Sequence, residues 1–142
     1  MRAMEISRTG LDIEWRRLDV IAENIANANS SRTASGAPYR SLRLLSGPKA
    51  SFGRHMSEAA GVNDLAGVEV YGVEPDNQPP RRVYEPTNPQ ADADGFVSYP
   101  AYNHAEQMAL MIKTARAYEA DMVAMNAARQ MYIKAMDLGK NG

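Results

Sequence analysis

His55 and His104 are the only imidazoles in this chain, and it has no cysteine. An imidazole can move protons near neutral pH or ligate a metal. A helical metal pair needs a spacing such as His-x-x-x-His, which puts both rings on one face. His55 and His104 are far apart, and His104 falls at a predicted helix start, where a surface or capping role suits it. The missing thiols remove disulfides, thiolate metal sites and cysteine nucleophiles together, and fit either redox compartment.

The carboxylates are no better placed for acid–base work. Asp12 with Glu14, and Glu119 with Asp121, stand two apart on predicted helices. Side chains at that spacing point to different faces and cannot share a substrate proton. Asp92-Ala93-Asp94-Gly95 looks like part of a calcium loop, but the closing bidentate Glu is missing. Asp94-Gly95 ahead of Phe96-Val97-Ser98-Tyr99 reads instead as a hairpin turn, because Gly accepts positive φ. No nucleophile elbow, phosphate-binding glycine loop or dinucleotide fingerprint occurs. The expectation is a protein that is not an enzyme, with no cofactor, no metal and no small-molecule substrate.

Charge narrows the partners. Lys and Arg number 16 and Asp and Glu 17, a net charge of −1, whereas a general nucleic-acid binder needs a clear basic excess. Arg40, Arg43, Lys49 and Arg54 form a locally basic stretch, read as solvated surface or as contact with an acidic partner. No apolar run approaches the roughly 18 residues of a membrane span. The charged start around Arg2, Glu5 and Asp12 lacks the apolar core of a Sec signal. That predicts a cytosolic protein, or one exported without a cleaved signal peptide.

Proline organises the rest. All eight prolines fall between Pro38 and Pro100, and the 142-residue chain has none in its flanks. Each proline inside a helix costs about 3 kcal/mol, so the flanks are the places for long helices. With 44% apolar residues the chain can bury surface. The pattern predicts an α+β fold with a terminal helix and exit loop in residues 1–35, a β-rich middle in 36–102 and a C-terminal helix in 103–142.

The first helix is predicted over residues 4–28, with a seam of period 3.5 through Leu11, Trp15, Leu18, Ala22 and Ile25. Asn24 and Asn27 crowd its end, where they can cap the helix or bond to another subunit. The second helix is predicted over 105–138. Asn103 with Glu106 is a capping box, and Gly139 is a plausible stop. Its seam runs Met108, Met111, Ala115, Tyr118, Met122, Met125, Arg129, Tyr132 and Met136. At 1.5 Å per residue it is roughly 50 Å long, more than the diameter of about 40 Å of a compact domain this size. It must project, so the helices are expected to pair as an elongated coiled-coil hairpin, with other chains, or both. Alanines on several of its faces suit packing among many copies. Short strands are predicted near Tyr39–Leu45, Val68–Val73, Arg81–Tyr84 and Phe96–Tyr99, with residues 46–67 as loop.

These residues also carry a resemblance. Leu18-Asp19-Val20-Ile21-Ala22-Glu23-Asn24-Ile25-Ala26-Asn27-Ala28-Asn29, then Gly36-Ala37-Pro38-Tyr39-Arg40, resembles the N-terminal signature of the bacterial flagellar axial proteins of the rod and hook group. Ala115-Arg116-Ala117-Tyr118-Glu119-Ala120-Asp121, Asn126-Ala127-Ala128 and Ala135-Met136-Asp137-Leu138-Gly139 resemble their C-terminal helix. Val83-Tyr84-Glu85-Pro86 and Asn88-Pro89-Gln90-Ala91-Asp92-Ala93-Asp94-Gly95-Phe96-Val97 are similar to the proximal rod members. The group usually has Thr at Ser30 or Ser31, Asn at Asp121 and Tyr at Phe96. The resemblance implies a structural subunit of the rod that crosses the periplasm, exported by the flagellar type III apparatus. It implies self-association and contact with proximal and distal rod proteins and the rod–membrane-ring adaptor. Leu11, Trp15, Leu18, Ala22, Asn24, Ile25, Asn27, Met111, Ala115, Tyr118, Met122 and Met125 are the candidate assembly residues. Another exported helical-hairpin subunit, from a secretion needle or filament cap, is the alternative, although it has no need of the Pro/Gly/aromatic middle.

Overall fold

A computed structural model describes residues 2–49 and 67–140. Helix α1 spans Arg2–Ala26 and helix α2 spans His104–Lys140. Between them lie β1 (Leu42–Pro48), β2 (Val68–Pro75), β3 (Arg81–Tyr84) and β4 (Phe96–Tyr99). The strands form two separate antiparallel pairs, β1 with β2 and β3 with β4. The architecture is therefore α+β, as the proline distribution predicts.

α1 ends at Ala26, two residues before its predicted limit, because Asn27–Asn29 turn away: the N–H of Ser30 donates to the Asn27 carbonyl at 3.0 Å. Asn103 Oδ1 accepts from the Glu106 N–H at 3.2 Å and caps α2 as its type and spacing suggest. Gly139 does not stop α2, which continues through it to Lys140. One glycine costs a helix only about 1 kcal/mol, too little to end it without a competing turn.

β1 lies three residues further along than the predicted Tyr39–Leu45 and takes in Ser46–Pro48, which were expected in a loop. Residues before Leu42 are held elsewhere: the Tyr39 N–H donates to the Ser30 carbonyl at 3.0 Å. The ladder continues past Leu45 through a bulge at Leu45/Ser46, where β2 contributes the extra residue Tyr71. The rest of the expected loop, 50–66 with Arg54 and His55, lies outside the described residues. β3 and β4 occupy their predicted positions, but residues 85–95 connect them, so Asp94-Gly95 is the end of a long loop and not a two-residue hairpin turn. Gly95 has φ +81°, the left-handed conformation that its sequence context implied.

The β1–β2 pair lies along α1. Ile13, Val20 and Leu44 form the central cluster, with Leu42 and Val68 packed on it. Three polar tethers, at intervals of about two helical turns, fix this pair to the helix. Thr9 Oγ1 accepts from the Val68 N–H at 3.1 Å. Arg17 Nη2 donates to Ser46 Oγ at 2.9 Å. Asn24 Oδ1 accepts from the Leu42 N–H at 2.7 Å, and Asn24 Nδ2 donates to the Leu42 carbonyl at 2.8 Å.

α2 runs antiparallel to α1. Asn24 meets Gln107, Trp15 meets Tyr118, and a shallow cleft is shared by Met4 and Arg8 with Met125 and Arg129. Beyond Arg129, α2 continues for residues 130–140, about 16 Å, past the start of α1.

Candidate functional site

The candidate assembly residues fall into two groups. On α1, Leu11, Leu18 and Ile25 are half-buried, Ala22 is exposed and Trp15 is 59% exposed. On α2, Met111, Ala115, Tyr118 and Met125 are half-buried and Met122 is exposed. The Trp15 and Tyr118 rings lie 6.4 Å apart, which brings the two seams together on one side of the helical pair.

The side chains that α1 buries completely lie on a different stripe: Ile13, Val20, Ile21 and Asn24. Of these, Ile13 and Val20 pack against β1 and β2, and Asn24 bonds to Leu42 of β1. The spacing of this stripe is also helical, but its members alternate in sequence with the larger Leu11, Trp15 and Leu18, which dominate any count of apolar positions.

Asn24 is the best-connected buried side chain among the described residues. It is 2% exposed, and besides both Leu42 groups its Oδ1 accepts from the Tyr39 hydroxyl at 3.0 Å and its Nδ2 donates to Gln107 Oε1 at 3.3 Å. All its donor and acceptor capacity is used within the chain. In an antiparallel ladder, alternate residues point their N–H and C=O away from the partner strand. Leu42 is one of these, so Asn24 occupies the strand's outer edge much as a neighbouring strand would. Asn27 acts locally: its Nδ2 donates to the Glu23 carbonyl at 3.0 Å and its Oδ1 accepts from Ser30 Oγ at 3.1 Å. Nothing in the spacing of the Asn residues could identify the Asn24 partners, which come from the loop, β1 and α2.

Electrostatics follow the packing. Burial, with the nearby Glu23 carboxylate, pushes the Tyr39 hydroxyl up to about 12. Asp92 is held below the usual carboxylate range, chiefly by the Phe96 N–H, with help from Arg82 and the Asp94 N–H. Its Oδ1 accepts from Phe96 and Asp94 at 2.9 and 3.0 Å while Oδ2 pairs with Arg82, so the acid stabilises the loop that enters β4. Tyr99 is raised, first by its hydrogen bond to Glu85. His104, at the start of α2, shares a 3.0 Å hydrogen bond with the Tyr102 hydroxyl. Arg40 donates to the Asp76 carbonyl at 2.8 Å and to Asn77 Oδ1 at 3.0 Å, while Arg43 and Lys49 are exposed.

Among the described residues, no group of three or more His, Asp or Glu side chains is placed to hold a metal ion. Among the same residues, no helix is long and apolar enough to cross a membrane. The built features are a tethered β pair, an extended helix and a large exposed apolar surface.

Known proteins resemble this chain in sequence. The family model for the C-terminal part of the flagellar basal body rod FlgEFG proteins matches residues 93–138. The flagellar basal-body rod protein FlgC of Borreliella burgdorferi is 33% identical over 142 residues, covering 94% of this chain and 93% of the relative. FlgC of Salmonella typhimurium is 32% identical, covering 99% of this chain and 98% of its own length. FlgC of Bacillus subtilis is 31% identical, covering 97% of each. The likeness runs through both helices and the β-rich middle, and on that basis the chain belongs to the FlgC family of flagellar basal-body rod proteins, structural subunits of the rod and not enzymes.

Proposed function

We propose that this chain builds the proximal part of the periplasm-spanning flagellar rod by self-assembly through its terminal helices. In this reading residues 1–35 and 103–142 form the axial core as a coiled-coil hairpin packed among copies, and the β-rich 36–102 faces outward. Its neighbours are the other proximal rod proteins, the distal rod protein and the rod–membrane-ring adaptor, and it reaches them through the flagellar type III export apparatus. Its work is mechanical: packed helices carry torque along the shaft.

One observation supports this reading above the others. Among the described residues, α2 fully buries a single side chain, Thr114, within its own chain. The same helix exposes Ile112, Met122, Val123, Met131, Tyr132, Ile133, Met136 and Leu138. A monomer rarely leaves such an apolar surface bare, and its extent points to partner copies. Leu18→Ala and Tyr118→Ala test the reading. Truncating a buried Leu costs about 2–5 kcal/mol, and each assembled copy repeats the loss. Both variants should be produced and exported yet leave cells non-motile in soft agar. Normal swimming in both would contradict assembly through these helices.

A further inference from the structure

We propose that β3–β4 is a hinged arm, clasped to the helical core by Arg40 and Ser41, and that it swings as one piece when the clasp opens. The arm and the clasp belong to the single chain, so their test does not depend on the rod reading.

The arm stands apart in the fold. Among the described residues, no Cα of β3 or β4 comes within 8 Å of either helix or of the β1–β2 pair. The two strands hold each other: Val83 stands opposite Val97 and Tyr84 opposite Phe96, with the Tyr84 and Phe96 rings 5.3 Å apart. Arg82 lies over the Phe96 ring, 4.6 Å from its centre, and pairs with Asp92 of the connecting loop. Val97 is 1% exposed, so the inner face of the arm is covered, and with no helix or other strand near it the cover comes from loops. Ser31 Oγ donates to Gln90 Oε1, an exposed catch between the exit loop of α1 and the β3–β4 loop.

Two short linkers join the arm to the rest. Residues 76–80 lead from β2 to β3, and residues 100–103 lead from β4 to α2. Pro79, Pro80 and Pro100 are fixed in φ, and the residue before each proline is restricted as well. The remaining freedom lies in 76–77 and 101–103, and there the clasp acts. Arg40 Nη2 donates to the Asp76 carbonyl at 2.8 Å and to Asn77 Oδ1 at 3.0 Å, and Nε donates to the same carbonyl at 3.2 Å. The Asp76 N–H donates to the Ser41 carbonyl at 2.6 Å, and Ser41 Oγ donates to the Ala101 carbonyl at 3.3 Å. Two consecutive residues thus hold both the entry and the exit of the arm.

Arg40 and Ser41 are themselves anchored, because Tyr39 and Leu42 on either side bond to Asn24 of α1. The fixed side of the hinge is therefore α1. Arg40 and Asn77 are exposed, and the acceptors that Arg40 holds are neutral, so these bonds exchange with water and reform. Opening the clasp changes the angle of the arm while both helices and the tethered β1–β2 pair keep theirs.

The absence of cysteine permits a direct test. Asp19→Cys on α1 and Ala93→Cys on the arm, both at exposed positions, carry spin labels on the purified full chain, diluted with unlabelled chain. Pulsed electron paramagnetic resonance should give one narrow distance between them. Adding Arg40→Ala and Ser41→Ala should spread that distance over a wide range, and Arg40→Lys alone, which keeps a donor for the Asp76 carbonyl, should stay close to the parent. In the same variant without labels, hydrogen exchange at the Asp76 amide should speed up about three- to tenfold while the amides of the β3–β4 ladder are unchanged. An unchanged distance in the Arg40 and Ser41 variant, or a broad one already in the labelled parent, overturns the clasp. Ladder amides that accelerate as much as Asp76 overturn the swing of the arm as one piece.

Discussion

Replacing Asn24 with alanine tests how the β1–β2 pair is fixed to the helices. Asn24 makes both Leu42 backbone bonds, at 2.7 and 2.8 Å, and bonds to Tyr39 and Gln107 at 3.0 and 3.3 Å. In Asn24→Ala the Leu42 N–H and C=O stay beneath the helix with no partner. Each unpaired buried group costs about 1–3 kcal/mol. Tyr39 and Gln107 are half-buried and can turn toward water, which adds little. The sum is about 2–6 kcal/mol, a large share of the roughly 5–15 kcal/mol that holds a domain together. Urea unfolding of the purified chain, followed by circular dichroism, measures it; in a thermal melt the same loss is about 6–24 °C. Tyr39→Phe and Gln107→Ala each remove one bond from the same cluster and should cost about 1 kcal/mol or less. Asn24→Asp should approach the alanine variant, because a carboxylate cannot donate to the Leu42 carbonyl. A loss below about 1 kcal/mol in Asn24→Ala, or equal losses in all four variants, would refute the assignment of Asn24 as the tether.

Three further outcomes follow from single contacts. Gly-to-Ala inside a helix usually gains about 1 kcal/mol, yet a Cβ at Gly10 would sit 2.6 Å from Asp121 Oδ2. Gly10→Ala should therefore gain less than that in denaturant titrations, because the Asp121 carboxylate must swing aside, and adding Asp121→Ala should restore the full gain. Thr114 is 1% exposed and its Oγ1 has no hydrogen-bond partner. Thr114→Val keeps the shape and removes the orphaned hydroxyl, so the melting point should rise by an amount equivalent to about 1 kcal/mol, while Thr114→Ser should bring no gain. Tyr39, raised from 10.0 to about 12, adds stability that is fully present below pH 10 and disappears between pH 10 and 12, as the unfolded chain loses its proton first. Alkaline unfolding should steepen in that interval, and Tyr39→Phe should flatten it.

Much of the architecture was legible because proline and helical spacing speak locally. α2 announced itself through Asn103, Glu106 and a long run of apolar residues three and four apart, and β3 and β4 through short aromatic and β-branched runs. Positions decided by distant partners were not legible. α1 carries two apolar stripes, and only the fold shows that Ile13 and Val20 face the β pair while Trp15 faces Tyr118. The limits of β1 depend on where β2 ends and on a bulge at Tyr71, neither of which is encoded in residues 39–48. Asn24 sits near a helix end in sequence, so its type suggests a cap. Its bonds instead go to Tyr39, Leu42 and Gln107, the last of which lies far along the chain on α2.

The assignment as a rod subunit is tested most directly by electron microscopy of basal bodies from a strain in which this chain alone is deleted. Basal bodies whose rod is missing beyond the membrane ring, and whose rod returns when the chain is resupplied, are the predicted result. Complete rods in the deletion strain would contradict the account.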